Sequence, residues 1–446
     1  MSVAQSALDP ARALAARARR WNALCLLTDY VFFALGMAFV NATTVLPSFV
    51  DQLTDSPLLV GLVATVQTGG WLFPQLLAAA YVAGRPRVKA LMVGPALLGR
   101  PAWWVLALVT ALVGPQQPGL LLLAFFLGYA LFVVVDGLVS VPWFEILGKA
   151  VPPTHRGRLL GTGQLLAGLL ATGVGGLVGL ILAHPALPFP TNYALLFFGA
   201  GACYLVSLGA LALLREPPGP DLRRAAGRTP FWRALGPVLR TDRSFVRAVV
   251  VKLLVGAGTM VYPFYSLFAL GPLGLAPEHL GLFLSAQVLG NTAGGLVLGP
   301  LADRHGPRRA IQMAAALGLL GPLLGLALLG TRGLDGPVVL GATGLLFALV
   351  GIGLSAHLLG FMNYVLEIAP PGQRSTYAGL FNTLGSTLLL VPPLAGWVLE
   401  RTSFTVLFGL AALAFLAGLL ASRHLPEPRG AGARLIPAAE AHDDLG

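Results

Sequence analysis

Charged residues are scarce in this sequence. Aspartate, glutamate, lysine and arginine together make up 11% of its 446 residues, whereas hydrophobic residues make up 56%. A soluble globular domain carries roughly 25% charged residues, so the composition excludes that class and indicates an integral membrane protein. Cysteine is scarcer still, since only Cys25 and Cys203 occur, each within an apolar run. Two such cysteines exclude a disulfide framework and a cysteine-ligated metal site, and we expect both to be inert.

Motifs that carry enzyme chemistry are also missing. The chain contains no G-x-x-x-x-G-K-[ST] phosphate loop, no H-E-x-x-H and no G-x-S-x-G, which are signatures of nucleotide, zinc and serine chemistry. We therefore expect neither an ATP-driven pump nor a membrane enzyme, and no catalytic residue, cofactor or metal. The formal net charge of +11 could suggest nucleic acid as a partner. Because the basic residues lie in short loops between apolar segments, we expect no nucleic-acid binding.

Long apolar runs dominate what is present. A helix needs about 20 apolar residues to cross the hydrocarbon core of a bilayer, and twelve segments meet that length. Their approximate bounds are residues 23–48, 58–82, 88–113, 119–147, 157–183, 192–214, 245–270, 279–301, 309–329, 337–366, 375–399 and 403–422. The prediction is an all-α integral membrane protein with twelve transmembrane helices, numbered here as spans 1 to 12.

The distribution of arginine and lysine predicts the orientation of these spans. If the N-terminus is cytoplasmic, every inner loop carries arginine or lysine, whereas the outer loops hold only Arg332 and Arg401. This asymmetry satisfies the positive-inside rule, so we expect both termini on the cytoplasmic side of the cell membrane. The first apolar segment follows an arginine-rich start and is too long for a signal-peptide core. We expect it to stay as an uncleaved anchor.

The chain repeats itself at offsets of 216 to 220 residues. SPLLVGLVATVQTGG from Ser56 aligns with APEHLGLFLSAQVLG from Ala276, which pairs span 2 with span 8. PPTHRGRLLG from Pro152 aligns with PPGQRSTYAG from Pro370, which pairs spans 4 and 5 with spans 10 and 11. A third alignment pairs span 1 with span 7. The repeat indicates two parallel halves of six helices.

These halves give the predicted domain organisation. It comprises a cytoplasmic N-terminal segment 1–22, an N-terminal six-helix bundle 23–214, a cytoplasmic linker 215–243, a C-terminal six-helix bundle 244–422 and a cytoplasmic tail 423–446. Duplicated bundles are typical of secondary transporters, in which the substrate binds between two bundles that rock. A channel or a membrane enzyme has no comparable need for the duplication.

One loop has a distinctive sequence. GPLADRHGPRR, from Gly299 to Arg309, concentrates charge between spans 8 and 9. It resembles the loop signature of the major facilitator superfamily, roughly G-x-L-A-D-R-x-G-R-R. With the twelve spans and the duplication, the chain is identified as a member of that superfamily, which implies two pseudo-symmetric six-helix bundles and transport by alternating access. The first-half stretch YVAGRPRVKAL, from Tyr81, keeps basic residues but has no aspartate.

The residues of the GPLADRHGPRR loop predict a cytoplasmic gate. Gly306 supplies the φ freedom that a tight turn needs. Asp303 can accept hydrogen bonds from the N–H groups of a helix N-terminus, and the resemblance implies that this helix is span 5, which starts at THRGR from Thr154. Alternatively, the charges only stop the hairpin from sliding into the bilayer. We expect Arg308 and Arg309 to act only as such anchors. We expect Asp303 to form the gate, because the positive-inside rule does not account for an aspartate.

Acidic residues at the inner ends of spans 4 and 10 complete the predicted gate. In the superfamily such an acid pairs with a loop arginine of its own half. The resemblance therefore implies that Glu367 pairs with Arg304 or Arg308, and that Glu145 pairs with an arginine of YVAGRPRVKAL. The predicted gate residues are Asp303, Arg304, Gly306, Arg308, Arg156, Arg158, Glu145, Glu367 and Arg374.

Glycines at four-residue spacing occur in spans 5 and 8. They are Gly175 and Gly179 in span 5, and Gly290 and Gly294 together with Gly295 and Gly299 in span 8. Such spacing lets helices approach closely, and the resemblance implies that these two spans face each other across the halves. Span 5 is similar to the exporter motif of the superfamily but lacks the proline of that motif. Import and export both stay open.

Five ionisable side chains fall at membrane depth, where a charge is a functional-site hypothesis by default. They are Asp29, Arg100, Asp136, Lys252 and His357. Arg100 lies about 18 Å and Asp136 about 16 Å from the inner ends of their spans, so the two could form an ion pair. Asp136 and His357 either exchange protons during transport or serve packing and hydrogen bonding. Lys252 and Asp29 either belong to the pathway or reach the inner interface.

Uncharged polar side chains in the spans either bind substrate or only bridge helices. They are Asn41, Gln67, Gln287, Asn291, Asn363 and Asn382. Asn41 and the pair Gln67 and Gln287, which the repeat aligns, are the preferred candidates for substrate binding.

The sequence predicts a monomeric secondary transporter that moves a small solute across the cell membrane by alternating access, linked to protons. Its expected partners are the solute, protons and the lipid bilayer. Two alternatives stay open. A lipid flippase on the same fold would bind membrane lipid in an apolar, laterally open cavity. A transport-inactive sensor or partner-binding protein would keep the fold and tolerate the loss of Asp136 and Asp303.

Overall fold

The structure, a computed structural model, is built from helices. It describes residues 3–82, 85–113, 116–217, 238–330, 336–370 and 373–429. Only the backbone is described for residues 3–16, 76, 80, 153, 302, 303, 358, 359, 374 and 375. No residue in the described ranges belongs to a strand, so the prediction of an all-α protein is confirmed there.

Twelve helical segments within the described ranges are long and apolar enough to cross a membrane. They are Arg17–Phe39, Pro57–Ala79, Lys89–Val113, Pro118–Ala150, Thr154–Ala183, Thr191–Leu213, Arg243–Leu270, His279–Leu301, Pro307–Leu329, Gly336–Ile368, Thr376–Arg401 and Phe404–Ser422. Each overlaps one predicted span. The prediction of twelve spans is confirmed, and the chain is a multi-pass membrane protein.

Four spans consist of more than one helix. The α-helices are Val3–Phe39, Val45–Asp51, Pro57–Val82, Lys89–Gly99, Ala102–Val113, Pro118–Ala150, Pro153–Ala183, Thr191–Leu213, Arg243–Gly258, Phe264–Leu270, His279–His305, Pro307–Leu329, Gly336–Ile368, Arg374–Gly385, Val391–Arg401 and Phe404–Ser422. Short 3₁₀ segments at Thr259–Val261 and Ser386–Leu390 interrupt spans 7 and 11.

The interruption of span 1 corrects the continuous helix predicted over residues 23–48. The helix ends at Phe39 and a second one begins at Val45. Between them, Oδ1 of Asn41 accepts hydrogen bonds from the backbone N–H of Thr43 at 2.9 Å and of Thr44 at 3.1 Å. An asparagine that bonds the backbone two residues on offers an alternative to helical hydrogen bonds. Asn41, predicted to bind substrate, therefore holds a turn.

The interruption of span 3 places an arginine at membrane depth. Gly99 ends the first helix and Ala102 begins the second. Pro101 has no backbone N–H and cannot supply a helical hydrogen bond. Arg100 therefore lies at the point where the two helices of span 3 meet.

Two compact units are formed by the described parts of the chain. The first draws on Met1–Gly227, Tyr262–Leu289 and Pro392–Thr402, and the second on Arg228–Val261, Gly290–Val391 and Ser403–Gly446. The predicted boundaries of two six-helix halves, with a linker at 215–243, stay a prediction.

Aromatic rings fill part of the core of the first unit. Phe49 lies 5.3 Å from Phe125, 5.2 Å from Tyr193 and 5.0 Å from Phe197, measured between ring centroids. All four side chains are fully buried. Such pairs contribute about 0.5–1.5 kcal/mol each beyond the burial of their area, so this cluster fixes the packing of the helix Val45–Asp51 against spans 4 and 6.

In the second unit, span 9 packs closely on span 12. A Cβ built on Gly325 would lie 2.7 Å from the ring of Phe408, and one built on Gly318 would overlap the ring of Phe415. Glycine at these two positions leaves room for the rings. Small residues at a helix interface are the usual means by which membrane helices approach each other.

Backbone contact joins spans 5 and 8 within the first unit. A Cβ built on Gly281 would overlap the carbonyl oxygen of Gly175 and the backbone of Gly179. Beside this contact, the hydroxyl of Ser285 donates to the carbonyl oxygen of Thr172 at 2.9 Å. The predicted close approach of spans 5 and 8 is therefore present, and it uses the span 5 glycines that the sequence indicated.

The contributing glycine of span 8 differs from the prediction. Gly290 lies in the second unit, where an added Cβ would overlap the carbonyl oxygen of Ala348. A Cβ on Gly294 would lie 3.1 Å from Cα of Ile352. Both glycines face span 10, because glycine spacing alone does not determine which neighbour a helix face meets.

Candidate functional site

A buried ion pair connects span 1 to the interruption of span 3 in the first unit. Nη2 of Arg100 lies 3.1 Å from Oδ1 of Asp29, and the two side chains are 5% and 6% exposed. Nε1 of Trp143 donates to Oδ2 of Asp29 at 2.7 Å, and the hydroxyl of Ser207 donates to Oδ1. A buried charge is tolerated when it is paired and hydrogen-bonded. Three donors, from spans 3, 4 and 6, meet that condition for Asp29.

This pairing corrects two predictions. The sequence predicted an ion pair between Arg100 and Asp136, whereas the carboxylate that pairs with Arg100 belongs to Asp29. The alternative that Asp29 reaches the inner interface is also wrong, because its carboxylate is fully engaged inside the unit. The rise per residue gives the depth of a side chain but not its direction around the helix axis. Trp143 was missed, although its spacing of seven from Asp136 places both on one helix face.

Asp136 is a second carboxylate beside the same guanidinium. It is half-buried on span 4, with Trp71 of span 2 within hydrogen-bonding reach and with Arg100 and Asp29 as its charged neighbours. We call these three ionisable residues the Asp29–Arg100–Asp136 cluster. With both carboxylates ionised, it carries one excess negative charge.

Unsatisfied polar atoms surround this cluster. Nη1 of Arg100 and the hydroxyl groups of Tyr129 and Tyr204 are buried, with no hydrogen-bond partner in the described part of the chain. Buried polar groups in native proteins nearly always find a partner, in the protein or in ordered water. The cluster therefore offers donors for water or for polar groups of a solute.

A lysine lies at membrane depth in the second unit. Nζ of Lys252 donates to the carbonyl oxygen of Phe381 at 3.3 Å and to Oδ1 of Asn382 at 3.4 Å, and it lies 4.1 Å from the centroid of the Phe381 ring. Among the described residues no carboxylate forms an ion pair with it. The side chain turns toward span 11, and whether Lys252 belongs to the pathway or reaches the inner interface stays a prediction.

His357 lies in span 10, near this lysine. Its ring centroid is 4.7 Å from that of Phe361, and Lys252 is its charged neighbour. Nδ1 of His357 is buried and bonds to none of the described residues. The predicted hydrogen bond to a neighbouring helix finds no support at this atom.

The glutamines predicted to bind substrate lie in the first unit. Gln287 is 5% exposed. The hydroxyl of Thr43 lies 2.9 Å from Oε1 of Gln287 and 2.8 Å from Oδ1 of Asn41. Gln287 thus bridges to the turn in span 1, which was the alternative to substrate binding. Gln67 is half-buried, and its role in substrate binding stays a prediction.

At the inner end of span 4, the predicted acid–arginine pair is wrong. Glu145 pairs with Lys149, one helical turn away, at 3.5 Å. Arg85, on YVAGRPRVKAL, lies 3.8 Å from the ring centroid of Tyr81. Lys149 also pairs with Glu216 at 3.2 Å. Residues four apart on one helix are neighbours, so the helix itself gives Glu145 a cation in Lys149.

Glu216 was missed as a partner for the start of span 3. Its carboxylate accepts hydrogen bonds from the backbone N–H groups of Val88 and Lys89, each at 2.8 Å. A carboxylate at a helix N-terminus is stabilised by the unsatisfied N–H groups and by the helix dipole. Its position directly after span 6, in a segment otherwise rich in arginine, is the signal that could have identified it.

The predicted pair at the inner end of span 10 is also wrong. Glu367 pairs with Arg429, beyond the last span. Arg308 donates instead to the carbonyl oxygen of Arg423 at 2.7 Å. The hydroxyl of Tyr364 donates to the carbonyl oxygen of Pro426 at 3.0 Å. We call residues 423–429 the tail segment. Glu367 thus pairs with the tail segment and not with the loop arginines that the resemblance implied. From the sequence, this segment was predicted only to be part of a cytoplasmic tail.

The remaining gate residues divide between described and undescribed side chains. Gly306 has a φ of +86°, as its predicted role in a tight turn requires. Nε of Arg156 donates to the carbonyl oxygen of Val151 at 2.9 Å, while Arg158 and Arg304 are exposed. The side chains of Asp303 and Arg374 lie outside the described residues. The gate therefore stays a prediction.

The tail segment places a carboxylate against the loop. A Cβ built on Gly306 would overlap the carboxylate of Glu427, and Oε1 of Glu427 is buried with no partner in the described residues. Burial raises the pKa of Glu427, and the charge of Glu367 raises it further, while the backbone N–H of Arg429 and the cations of Arg429 and Arg308 oppose the rise. The docked tail segment therefore favours the protonated carboxyl group.

Docking of the tail segment should depend on pH. Because the docked pKa is raised, docking is strongest below the ordinary carboxyl pKa and weakens as pH rises through the raised value. A nitroxide at His424→Cys, with Cys25 and Cys203 replaced by serine, should grow more mobile from pH 4 to pH 8 by electron paramagnetic resonance. Glu427→Gln should remove this dependence and keep the label immobile.

Glu400→Gln is the matched control for this experiment, because Glu400 is exposed at the end of span 11. It should leave the pH profile of the label unchanged. Greater label mobility in Glu427→Gln than in the parent at pH 7 would show that the ionised carboxylate holds the tail segment, contrary to this interpretation.

Known proteins resemble this chain in sequence. Residues 28–388 match the sequence profile of the Major Facilitator Superfamily, and a second match covers residues 253–445. A putative sugar efflux transporter of Deinococcus radiodurans is 34% identical over 173 residues, which are 38% of this chain and 43% of the relative. An uncharacterized 38 kDa protein in a 23S RNA operon of Thermoproteus tenax is 31% identical over 327 residues, 70% of this chain and 73% of the relative. The chain thus spans less than half of the first relative.

Solved structures share the fold. The nucleoside transporter NupG superposes with a TM-score of 0.64 and 13% identity over 92% of this chain and 98% of that one. A D-xylose-proton symporter superposes with a TM-score of 0.63 and 17% identity, over 93% of this chain and 98% of that one. Identities this low bear on the fold alone. The profile match extends over most of the chain and agrees with the twelve described spans, so the chain belongs to the Major Facilitator Superfamily.

Proposed function

We propose that this protein moves a small polar solute across the cell membrane by alternating access and couples that movement to protons. The Asp29–Arg100–Asp136 cluster carries the proposal. Its two carboxylates and one guanidinium give the cluster a net charge of −1, so the uptake of one proton makes it neutral. An uncompensated charge at membrane depth is costly. A transporter can use that cost by allowing the site to close only when the cluster is protonated.

Asp136 is the carboxylate that takes the proton in this scheme. Asp29 is held by the guanidinium, an indole N–H and a hydroxyl group, all of which stabilise its ionised form. Asp136 has one neutral neighbour within hydrogen-bonding reach, Trp71, and is the more accessible of the two. Donors that favour the charged form oppose protonation, so the proton goes to the less well satisfied carboxylate.

The names of similar proteins suggest which solutes to test first. Sugar efflux, nucleoside transport and D-xylose–proton symport appear among them. These solutes are small and rich in hydroxyl groups, as suits the buried donors around the cluster. We therefore propose a sugar or a nucleoside-sized polar solute as the first class to screen.

Proton flux into liposomes tests the proposal directly. Purified protein is reconstituted with a pH-sensitive dye inside, and sugars and nucleosides are added outside one at a time. A transported solute should change the internal pH, and an imposed pH gradient should drive its accumulation. Solute uptake that ignores the pH gradient would contradict coupling. Movement of a labelled lipid in the absence of any solute transport would favour a flippase instead.

The glycine contact between spans 5 and 8 provides a test of alternation between two arrangements. If these helices separate during transport, any side chain at Gly281 should favour the separated arrangement, because its Cβ would overlap the backbone of span 5. A cysteine pair made by Thr172→Cys and Ser285→Cys, with the native cysteines replaced, should cross-link in the parent. Gly281→Val should abolish that cross-link.

A glycine of span 5 provides the control for this cross-linking test. Gly176 lies one residue from Gly175, but a Cβ built on it meets nothing within 4 Å. Gly176→Val should therefore cross-link as the parent does. Equal cross-linking in Gly281→Val would mean that the two helices accommodate a side chain without separating.

A further inference from the structure

We infer that Lys252, Asn382 and His357 form a binding site for an oxyanion, the carboxylate or phosphate group of a small solute. The three residues come from spans 7, 11 and 10 of the second unit. The inference rests on the proposed function only in taking the bound anion to be the transported solute. It narrows the solute from polar to negatively charged.

The charge of Lys252 is the first argument. Lys252 lies nine residues beyond Arg243, the start of its helix, or about 14 Å along the axis. Its ammonium group contacts a backbone carbonyl and an amide oxygen, both of which are neutral. Neutral acceptors satisfy hydrogen bonds without balancing a charge, and ionisable groups at this depth normally pair. A bound anion would supply the missing countercharge.

Further donor groups beside Lys252 are the second argument. Oδ1 of Asn382 accepts from Lys252 at 3.4 Å, which leaves the amide NH₂ of Asn382 free of bonds to the described residues. Nδ1 of His357 is buried and bonds to none of them either. Ammonium, amide and imidazole groups can all donate to oxygen. Hydrogen bonds with an ionised partner are roughly twice as strong as neutral ones, so this group suits an oxyanion better than an uncharged solute.

The surroundings hold these donors in place. The rings of Phe361 and Phe381 lie 6.1 Å apart, with His357 against the first and Lys252 above the second. A Cβ built on Gly385 would lie 2.6 Å from Cε of Lys252. Glycine there leaves the lysine side chain the room it needs, and the aromatic rings restrict the positions that Lys252 and His357 can take.

Three solutes that share the same sugar ring but differ in charge test the inference. Glucuronate carries a carboxylate, glucose 6-phosphate carries a phosphate, and glucose carries neither. The midpoint temperature of unfolding of the purified protein is measured against concentration, since a ligand that binds the folded state raises it. We expect at least one anion to raise the midpoint temperature at concentrations where glucose does not, and the responding anion identifies the group.

Variants of the site should weaken that response. Lys252→Gln keeps a hydrogen-bond donor but removes the charge, and it should weaken apparent anion affinity by about tenfold to a hundredfold. Asn382→Ala should weaken the apparent anion affinity by a smaller factor, and it replaces Lys252→Gln as the test if that variant does not fold. Arg309→Gln is the control, because it removes an exposed cation of the same unit outside the site.

The outcomes separate this inference from the transport proposal. Anion binding that survives both Lys252→Gln and Asn382→Ala, or the absence of a response to either anion, would overturn the oxyanion site. Glucose transport that Lys252→Gln leaves unchanged would also overturn it, while proton-coupled transport still stands. Anion binding through Lys252 with no solute movement in liposomes would overturn the transport proposal alone.

Discussion

Asp136→Asn protein should no longer accumulate solute against a gradient, yet it should still exchange labelled for unlabelled solute across the membrane. Asparagine keeps the size and the hydrogen-bonding capacity of the side chain but cannot take up a proton. The remaining pair of Asp29 and Arg100 is neutral at all times, so closure no longer waits for protonation. A ligand can shift a conformational equilibrium only through its differential affinity for the two states, and this variant removes that difference for the proton.

Reconstituted liposomes measure both activities of the Asp136→Asn protein. Uptake driven by an imposed pH gradient should fall to background, and counterflow should stay close to that of the parent. Glu400→Gln is the control, because Glu400 is an exposed carboxylate at the end of span 11, outside the cluster and the predicted gate, and should retain both activities. Persistent uphill uptake in Asp136→Asn would place the coupling proton elsewhere or exclude coupling.

Arg100→Gln should cause the largest loss of stability of any single replacement in the cluster. Removing one partner of a buried ion pair costs about 3–5 kcal/mol in free energy of unfolding, because it leaves an uncompensated charge. Here the loss of one guanidinium leaves two carboxylates, Asp29 and Asp136, without a cation. Asp29→Asn should cost less, since Asp136 remains as a charged neighbour of Arg100.

The midpoint temperature of unfolding in detergent compares these replacements. The expected order of stability is parent, then Asp29→Asn, then Arg100→Gln. Arg158→Gln, which removes an exposed arginine, should match the parent. If Asp29→Asn is as destabilising as Arg100→Gln, Asp136 gives the guanidinium no compensation, and the cluster does not act as one electrostatic group.

The sequence predicted the number and order of the spans well, because a run of about 20 apolar residues has few alternatives to a membrane helix. It predicted the interruptions poorly. The repeat aligns Val45 and Pro47 with Val261 and Pro263, and these residues border the interruptions of spans 1 and 7. A hydropathy criterion averaged over about 20 residues does not detect such a break, because a few polar residues such as Asn41, Thr43 and Thr44 change the average little.

The sequence also identified which charges lie at membrane depth but not how they pair. Asp29, Arg100 and Asp136 were all named, yet the assignment of Arg100 to Asp136 was wrong. Pairing depends on the direction of each side chain and on the order of the helices around the unit, neither of which follows from spacing along one chain. Glu367 shows the same limit, because its partner Arg429 is 62 residues away.

The tail segment has a practical consequence for labelling and purification. Arg308, Tyr364 and Glu367 all bond to residues between Arg423 and Arg429. An affinity tag or a fluorescent protein fused directly after Ser422 would remove those partners. Glu367 and Arg308 would then bond to other groups. Fusion after residue 429 preserves them, so the choice of junction decides whether a reporter records the native behaviour of the loop or that of an altered one.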